Sequence, residues 1–580
     1  MSTEKADFKA KVVFCWHMHQ PDYRDRLTGE YYFPWTYLHA LKDYTDMLIH
    51  LENNPGARVV VNFAPILLEQ LDDYQTQVDR HLENGESIRD PMLSALVDET
   101  LPEPGSKQFE EIANNCLRAQ RDRMIGRFPP YVFLVETLEQ SRDNPQAQCY
   151  LNHQFLIDLL VWYHLSWLGE NQRRQDDRIQ ALQKKAGGYS REDRNQLLTI
   201  IAEQMRAIKP RYRQLQEQGR IELAMSPYAH PILPLLLDFD STLEAMPKAP
   251  MPRAKGYPGG EERASWHLAK GLEVFERFFG CRPAGCWASE GALSDATLAL
   301  LSKSDFKWTA TGDSVLHNSL KLDANQNSVK GVNAQAPLHK GYRFAEQPVQ
   351  VFFRDDGLSD LIGFQYADWH AEDAVGDLIN HLVTIAKENE DPDGCVISII
   401  MDGENAWEYY PENAWYFLEA LYRRVSDYPG LEMTTYSQVL ADRAVKPGAL
   451  NKMTAGSWVY GTFSTWIGET EKNLAWDMLC EAKVAYDQHA PKLKPADREL
   501  ASLQLAQCEG SDWFWWFGDY NPADSVRDFD YLYRRHLSNL YQLLKQPVPD
   551  NLKQPFSRGG GAPAAGGVMR RGHAPAGEAN

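Results

Sequence analysis

Seven short apolar segments limit most strongly what this chain can fold into. They span residues 12–16, 59–63, 221–225, 285–288, 306–310, 349–353 and 395–401. Their apolar character is continuous rather than alternating, the pattern of strands buried on both faces. Helical patterns separate most of them. Over 261–279, Ala264, Leu268, Leu272, Phe275 and Phe279 recur at helical spacing, and Gly280 follows as a stop. Strands alternating with helices build parallel βαβ units. The expected fold is α/β, a distorted (β/α)7 barrel, with a doubly wound sheet as the alternative.

The 580 residues exceed one ordinary domain. Residues 1–440 hold all seven segments and read as the barrel. A helical insertion is expected at about 80–215. Its stretch 170–209 is rich in Arg, Gln, Asp and Lys and reads as a solvated helical hairpin. Residues 441–556 lose the strand alternation. Tyr533, Leu537, Leu540 and Leu544 form a helical stripe there, so a C-terminal helical domain beside the active site is expected. Residues 557–580 are Gly, Ala, Pro and Arg without apolar periodicity and read as a disordered tail.

The formal net charge of -20 argues against nucleic acid, whose phosphates it would repel. It also disfavours an anionic membrane, while a neutral polymer remains compatible. The eight cysteines form no CxxC pair, and several sit in apolar runs as small hydrophobes. The first residues lack an apolar signal region, and no apolar run is long enough to span a bilayer. The reading is a soluble, cytoplasmic protein.

In parallel α/β barrels the working groups collect where strands end. Glu290 follows Gly285–Ser289, and Asp402 closes the run Val396–Met401. Two carboxylates at strand ends are the minimum equipment for cleaving a glycosidic bond. His17 and His19 alternate at the end of the first strand, so their rings point the same way. They suit sugar hydroxyls, or a metal if further ligands join them. Glu222 lies on the third strand, where a charge must be paired. It either contacts sugar or anchors the barrel. His230 follows that strand, and Arg354 ends the sixth. Trp287 beside Glu290 offers a ring for a sugar face, or a core aromatic. The run Asp512-Trp513-Phe514-Trp515-Trp516 is the densest aromatic stretch and is expected to fold against the barrel mouth. Trp466, in 458–468, is expected on another rim.

These residues resemble glycoside hydrolase family 57. Its five motifs have counterparts in order: His19-Gln20-Pro21, Gly219-Arg220-Ile221-Glu222, Trp287-Ala288-Ser289-Glu290, Asp402-Gly403-Glu404-Asn405 and Glu509-Gly510-Ser511-Asp512-Trp513. One departure is Ala288-Ser289, where the family commonly has Pro between Trp and Glu. The resemblance implies a (β/α)7 barrel followed by a helical domain, and a retaining mechanism with no metal or other cofactor. It makes Glu290 the nucleophile and Asp402 the general acid/base. It places His17, His19, Glu222, Trp287, Asp512 and Trp513 around the site. The fourth and fifth motifs look more like the α-amylase and amylopullulanase branch, whose substrates are α-glucans and maltooligosaccharides. α-1,4 cleavage is expected, with α-1,6 cleavage left open. A 4-α-glucanotransferase with the same pair is the alternative. A metal-dependent α-mannosidase-like hydrolase using His17 and His19, or a non-catalytic glycan-binding protein, are further alternatives.

Overall fold

The computed structural model describes residues 9–142, 144, 151–327, 338–345, 347–561 and 570–572. Among the described residues nine strands share one sheet. They are β1 (Ala10–Met18), β2 (Val59–Phe63), β3 (Ile221–Met225), β4 (Trp308–Gly312), β5 (Tyr342–Phe344), β6 (Gln350–Arg354), β7 (Val396–Asp402), β8 (Leu431–Met433) and β9 (Gly448–Leu450). The parallel ladder runs β3-β2-β1-β7-β6, and β4 also pairs with β6 in parallel. Residues 285–287 bridge β3 to β4. Met225 N–H donates to the Gly285 carbonyl, Trp287 N–H to Met225, and Cys286 N–H to Trp308. The ring of seven segments is thus completed by isolated bridges rather than a full ladder. The fold is a barrel-like (β/α)7 arrangement with a C-terminal helical region.

The expected segments coincide with the ring, except that the fifth begins two residues later, at Trp308. Alternation along each strand explains why the apolar runs are continuous. On β1, Val12, Phe14, Trp16 and Met18 face the outer helices, while Val13 and Cys15 face the barrel interior. The interior also holds Val60, Ala224, Trp308, Ala310, Phe352 and Ile400. Helix Tyr436–Ala441 plugs its lower end, with Tyr436 stacked on Phe352 at 4.4 Å.

Helix Gly260–Phe279 matches the periodic pattern and ends at Gly280 with φ +74. The insertion differs from the solvated hairpin expected at 170–209. Ile179, Leu182, Leu197, Leu198, Ile201 and Met205 are buried in a core shared with Trp513, Tyr533 and Leu537 of the C-terminal region. Even its polar residues are absorbed: Glu170 is buried and paired with Arg127, Arg173 and Arg174. A polar composition thus concealed a buried stripe on each helix. Strand β9 lies beyond residue 440 yet pairs with β5, so the sheet runs past the expected boundary.

The tail also departs from expectation where it is described. Gly560 and Gly561 N–H groups donate to the Asn521 carbonyl. Arg570 lies over Trp515 and Tyr520, and Gly572 bridges Asp360 and Tyr460. Residues 562–569 and 573–580 of that expectation lie outside the described residues. Among the described residues no helix is long and apolar enough to cross a membrane.

Candidate active site

Asp402 ends β7 in register with His17 at the end of β1, so two adjacent parallel strands deliver both groups to one rim. The chain then turns through Gly403, whose N–H donates to the His17 carbonyl at 2.8 Å. A Cβ there would stand 2.7 Å from Met18 Cε and 3.2 Å from Trp16 Cβ, so a side chain would force the end of Met18 to shift. Glu290 sits in a short turn after the 285–287 bridge, with φ +59. A non-glycine residue in that region costs roughly 1–2 kcal/mol. The surroundings hold it there: the Trp458 backbone N–H donates to the Glu290 carbonyl at 3.1 Å, and its indole N–H donates to Oε2 at 3.0 Å.

Glu290 and Asp402 line one cleft of about 340 Å³. Burial lifts the Glu290 carboxyl to about 8, and the nearby Asp402 adds to the rise. Burial also lifts Asp402 to about 7, reinforced by the negative charge of Glu404. Two such carboxyls retain at least one proton between them near neutral pH. Glu404 is itself fixed by the His19 backbone N–H at 2.7 Å, the Gln20 amide at 2.5 Å and the Tyr44 hydroxyl at 2.6 Å.

Three imidazoles form a stack beneath the carboxylates. His17 and His230 lie 5.0 Å apart, and His19 and His230 3.9 Å apart. His17 Nδ1–H donates to Asn62 Oδ1 at 2.7 Å, and burial lowers His17 to about 3. Burial also pushes His230 well down. His19 differs. Burial opposes its charge, but the Asp512 carboxylate at 2.8 Å outweighs it and raises the pKa. Burial thus draws His17 and His230 toward the neutral form, while Asp512 draws His19 toward the charged one. His19, His230 and Asp512 have ligand atoms within 4.8 Å of one another, the one such group among the described residues. The His19 and His230 planes are only 24° apart, so their in-plane lone pairs do not converge at metal–nitrogen bond length.

The C-terminal region reaches the site through its fifth motif. Glu509 is buried, and burial opposes its charge. Arg263, and then His267, outweigh this and hold it at about 2. Ser511 bonds His230 through both backbone and side chain. Asp512, Trp515 and Trp516 then face the cleft.

Of the residues expected to contact substrate, His17, His19 and Asp512 line the cleft with the two carboxylates. The others do not, and six expectations are corrected. His230 is buried within the stack, with Nδ1 on Ser511 Oγ at 2.9 Å. Trp287 is fully buried, edge-on to Trp458 at 5.4 Å. Glu222 points into the barrel and accepts from the Trp308 indole at 2.6 Å and from Ser437 N–H at 2.8 Å. Arg354 is committed to the Ile400 carbonyl, Asp356 and Asp360, with its guanidinium over Trp458. Trp466 is fully buried behind Trp515, and Trp513 is buried with its indole on the Gln507 carbonyl. In each case spacing placed the residue near the site, but packing decided which face it shows.

Several lining residues were missed. Glu404 and Trp458 stood inside stretches already singled out, without a role. Trp35 and Trp167 form an aromatic wall, 5.7 Å apart. Arg118, from the insertion, pairs with Asp528 at 2.9 Å. No local signal marks these last three.

The profile of glycosyl hydrolase family 57 matches residues 13–453. The chain belongs to glycosyl hydrolase family 57. No curated protein matches the sequence. Among solved structures, this family 57 protein is similar to a branching enzyme from Pyrococcus horikoshii, at 15% identity, TM-score 0.55, and coverage of 95% of this chain and 99% of that one. It is also similar to an α-amylase from Thermotoga maritima, at 14% identity, TM-score 0.55, and coverage of 94% and 96%. A third is a 4-α-glucanotransferase from Thermococcus litoralis, at 13% identity, TM-score 0.50, and coverage of 92% and 60%. At these identities the likeness shows the fold.

Proposed function

We propose that the protein is a retaining enzyme of α-glucans that cleaves α-1,4 glucosidic bonds in the manner of an α-amylase. The observation that carries this is the pair Glu290 and Asp402, both with raised pKa values in one aromatic-walled cleft. Glu290 attacks the anomeric carbon while Asp402 protonates the leaving oxygen, and a glycosyl-enzyme forms. Asp402, now ionised, takes a proton from water, and the sugar leaves with its configuration retained. The mechanism calls for carboxyl groups about 5–5.5 Å apart. It also calls for an ionised Glu290 beside a protonated Asp402. In the free protein the two carboxyls retain a proton between them near neutral pH, and it must rest on Asp402, with Glu290 ionised, at the moment of attack. The Trp458 indole N–H favours that anion, and the Glu404 charge favours the proton on Asp402.

The second reading is transfer to a glucan acceptor. The walls Trp35, Trp167, Trp515 and Trp516 favour it, because an aromatic cleft offers ring faces to an acceptor sugar and little to water. A branching enzyme and a 4-α-glucanotransferase share this fold. Incubation with a defined maltooligosaccharide separates the two. New reducing ends mark hydrolysis, and longer chains at constant reducing power mark transfer. Products of inverted anomeric configuration would reject the retaining mechanism.

A further inference from the structure

We propose that the catalytic cleft continues into a second groove that holds the outer sugars of a long α-glucan chain. This rests on the reading of the protein as an α-glucan enzyme and extends it to chain length.

The two cavities share walls. Phe33 and Asp528 line both the cleft and a neighbouring groove of about 580 Å³, larger than the 340 Å³ of the cleft itself. The shared wall is rigid: Arg118 lies over the Phe33 ring at 5.2 Å and pairs with Asp528 at 2.9 Å. Helix Ala523–Leu543 serves both spaces. Ser525, Asp528 and Phe529, spaced i, i+3 and i+4, line the cleft. Arg527, Tyr531 and Arg534, spaced i, i+4 and i+7, line the groove. One helix therefore carries two adjacent stripes, and a chain crossing Phe33 passes from the first to the second.

The groove suits a neutral sugar chain. Tyr531 is 49% exposed, so much of its ring is open to the groove it lines. It stands edge-on to Tyr32 at 6.0 Å. Tyr32 is held in place by its hydroxyl, which donates to Asp25 at 2.9 Å and accepts from Arg535 at 3.1 Å. Ring faces take the C–H faces of sugars, and polar rim groups take their hydroxyls. Two of the arginines lining the groove are already neutralised. Arg527 pairs with Asp524 and Asp528, and Arg534 with Asp530. An anion would find no free partner in those two arginines, whereas a hydroxyl can share a paired guanidinium.

The test is Tyr531→Ala, assayed on maltooligosaccharides from maltotetraose upward and on amylose. The expected result is unchanged kcat/KM for the shortest substrates and a fall of roughly tenfold for amylose, the value of one aromatic stack. Binding is read separately by retardation in amylose-containing native gels. There Glu290→Gln should be retarded, and the double variant Glu290→Gln/Tyr531→Ala less so. An equal fall at every chain length, or amylose kinetics and retardation both unchanged, overturns the proposal. Wild-type protein inactive on every α-glucan, yet retarded through Tyr531, would overturn the catalytic reading and leave the groove standing.

Discussion

Trp458 grips Glu290 at both ends, donating its backbone N–H to the Glu290 carbonyl at 3.1 Å and its indole N–H to Oε2 at 3.0 Å. One residue therefore holds the strained backbone of the proposed nucleophile and stabilises its anion. Trp458→Phe keeps the ring and removes the indole donor. A hydrogen bond to a charged group is worth about 1.5–3 kcal/mol. The expected loss in kcat/KM is roughly ten- to a hundredfold. The pH profile of kcat/KM should also move to higher pH, because the lost bond had lowered the Glu290 pKa. An unmoved profile would mean that the contact is only structural.

The pH dependence follows from the pair itself. Below about 7 both carboxyls are protonated and no nucleophile exists; above about 8 both are ionised and no acid exists. Activity should peak between these values in a kcat/KM profile. Glu404→Gln removes a charge that raises Asp402, so the profile should shift to lower pH. A profile that stays in place would remove Glu404 from this role.

Asp402→Asn should cost about 10²–10⁴-fold in turnover of a natural glucan, the range of general acid catalysis. Substrates with a good leaving group need less protonation and should lose less in the first step. Added azide should then attack the glycosyl-enzyme in place of water, displace Glu290 and yield a glycosyl azide of the same anomeric configuration as the substrate, detected by mass spectrometry and NMR. Glu290→Gln should show no such rescue of the retaining pathway.

Glu222 accepts from Trp308 and from Ser437 at the start of helix Tyr436–Ala441, inside the barrel and away from the cleft. Glu222→Gln turns one acceptor into a donor facing a donor. The expected cost is about 1–3 kcal/mol of stability, measured by denaturant unfolding. kcat on a short maltooligosaccharide should stay near wild type. A selective loss of kcat at unchanged stability would return Glu222 to the substrate site.

A chain ending at Gly561 would lose Arg570 from the face of Trp515 and Gly572 from Asp360. Asp360 holds Arg354, whose guanidinium lies over Trp458. The truncated protein should fold but show a raised KM for α-glucans. Unchanged kinetics would make this contact incidental to the site.

Much of the architecture was legible along the chain because burial on both strand faces leaves continuous apolar runs. Those runs coincide with the seven segments of the ring; Glu290, Asp402, His17 and His19 stand at or after their ends, Asp512 stands in the aromatic stretch, and all five line one cleft. What local pattern could not convey was facing. Glu222, Trp287 and Arg354 lie close to the right strands in sequence, yet their side chains serve the barrel interior. Trp466 and Trp513 lie within the right aromatic stretches, yet their neighbours Trp458, Trp515 and Trp516 reach the cleft. A shift of one or a few residues turns a side chain from solvent to core, and only the packing of two distant segments selects between them. The helical insertion was hardest to read. Its charged surface hid a core shared with residues more than three hundred positions away. The carboxylate pair belonged to the sequence; the raised pKa values, the imidazole stack and the aromatic walls exist only because the barrel, the insertion and the C-terminal helices close over one another and exclude water.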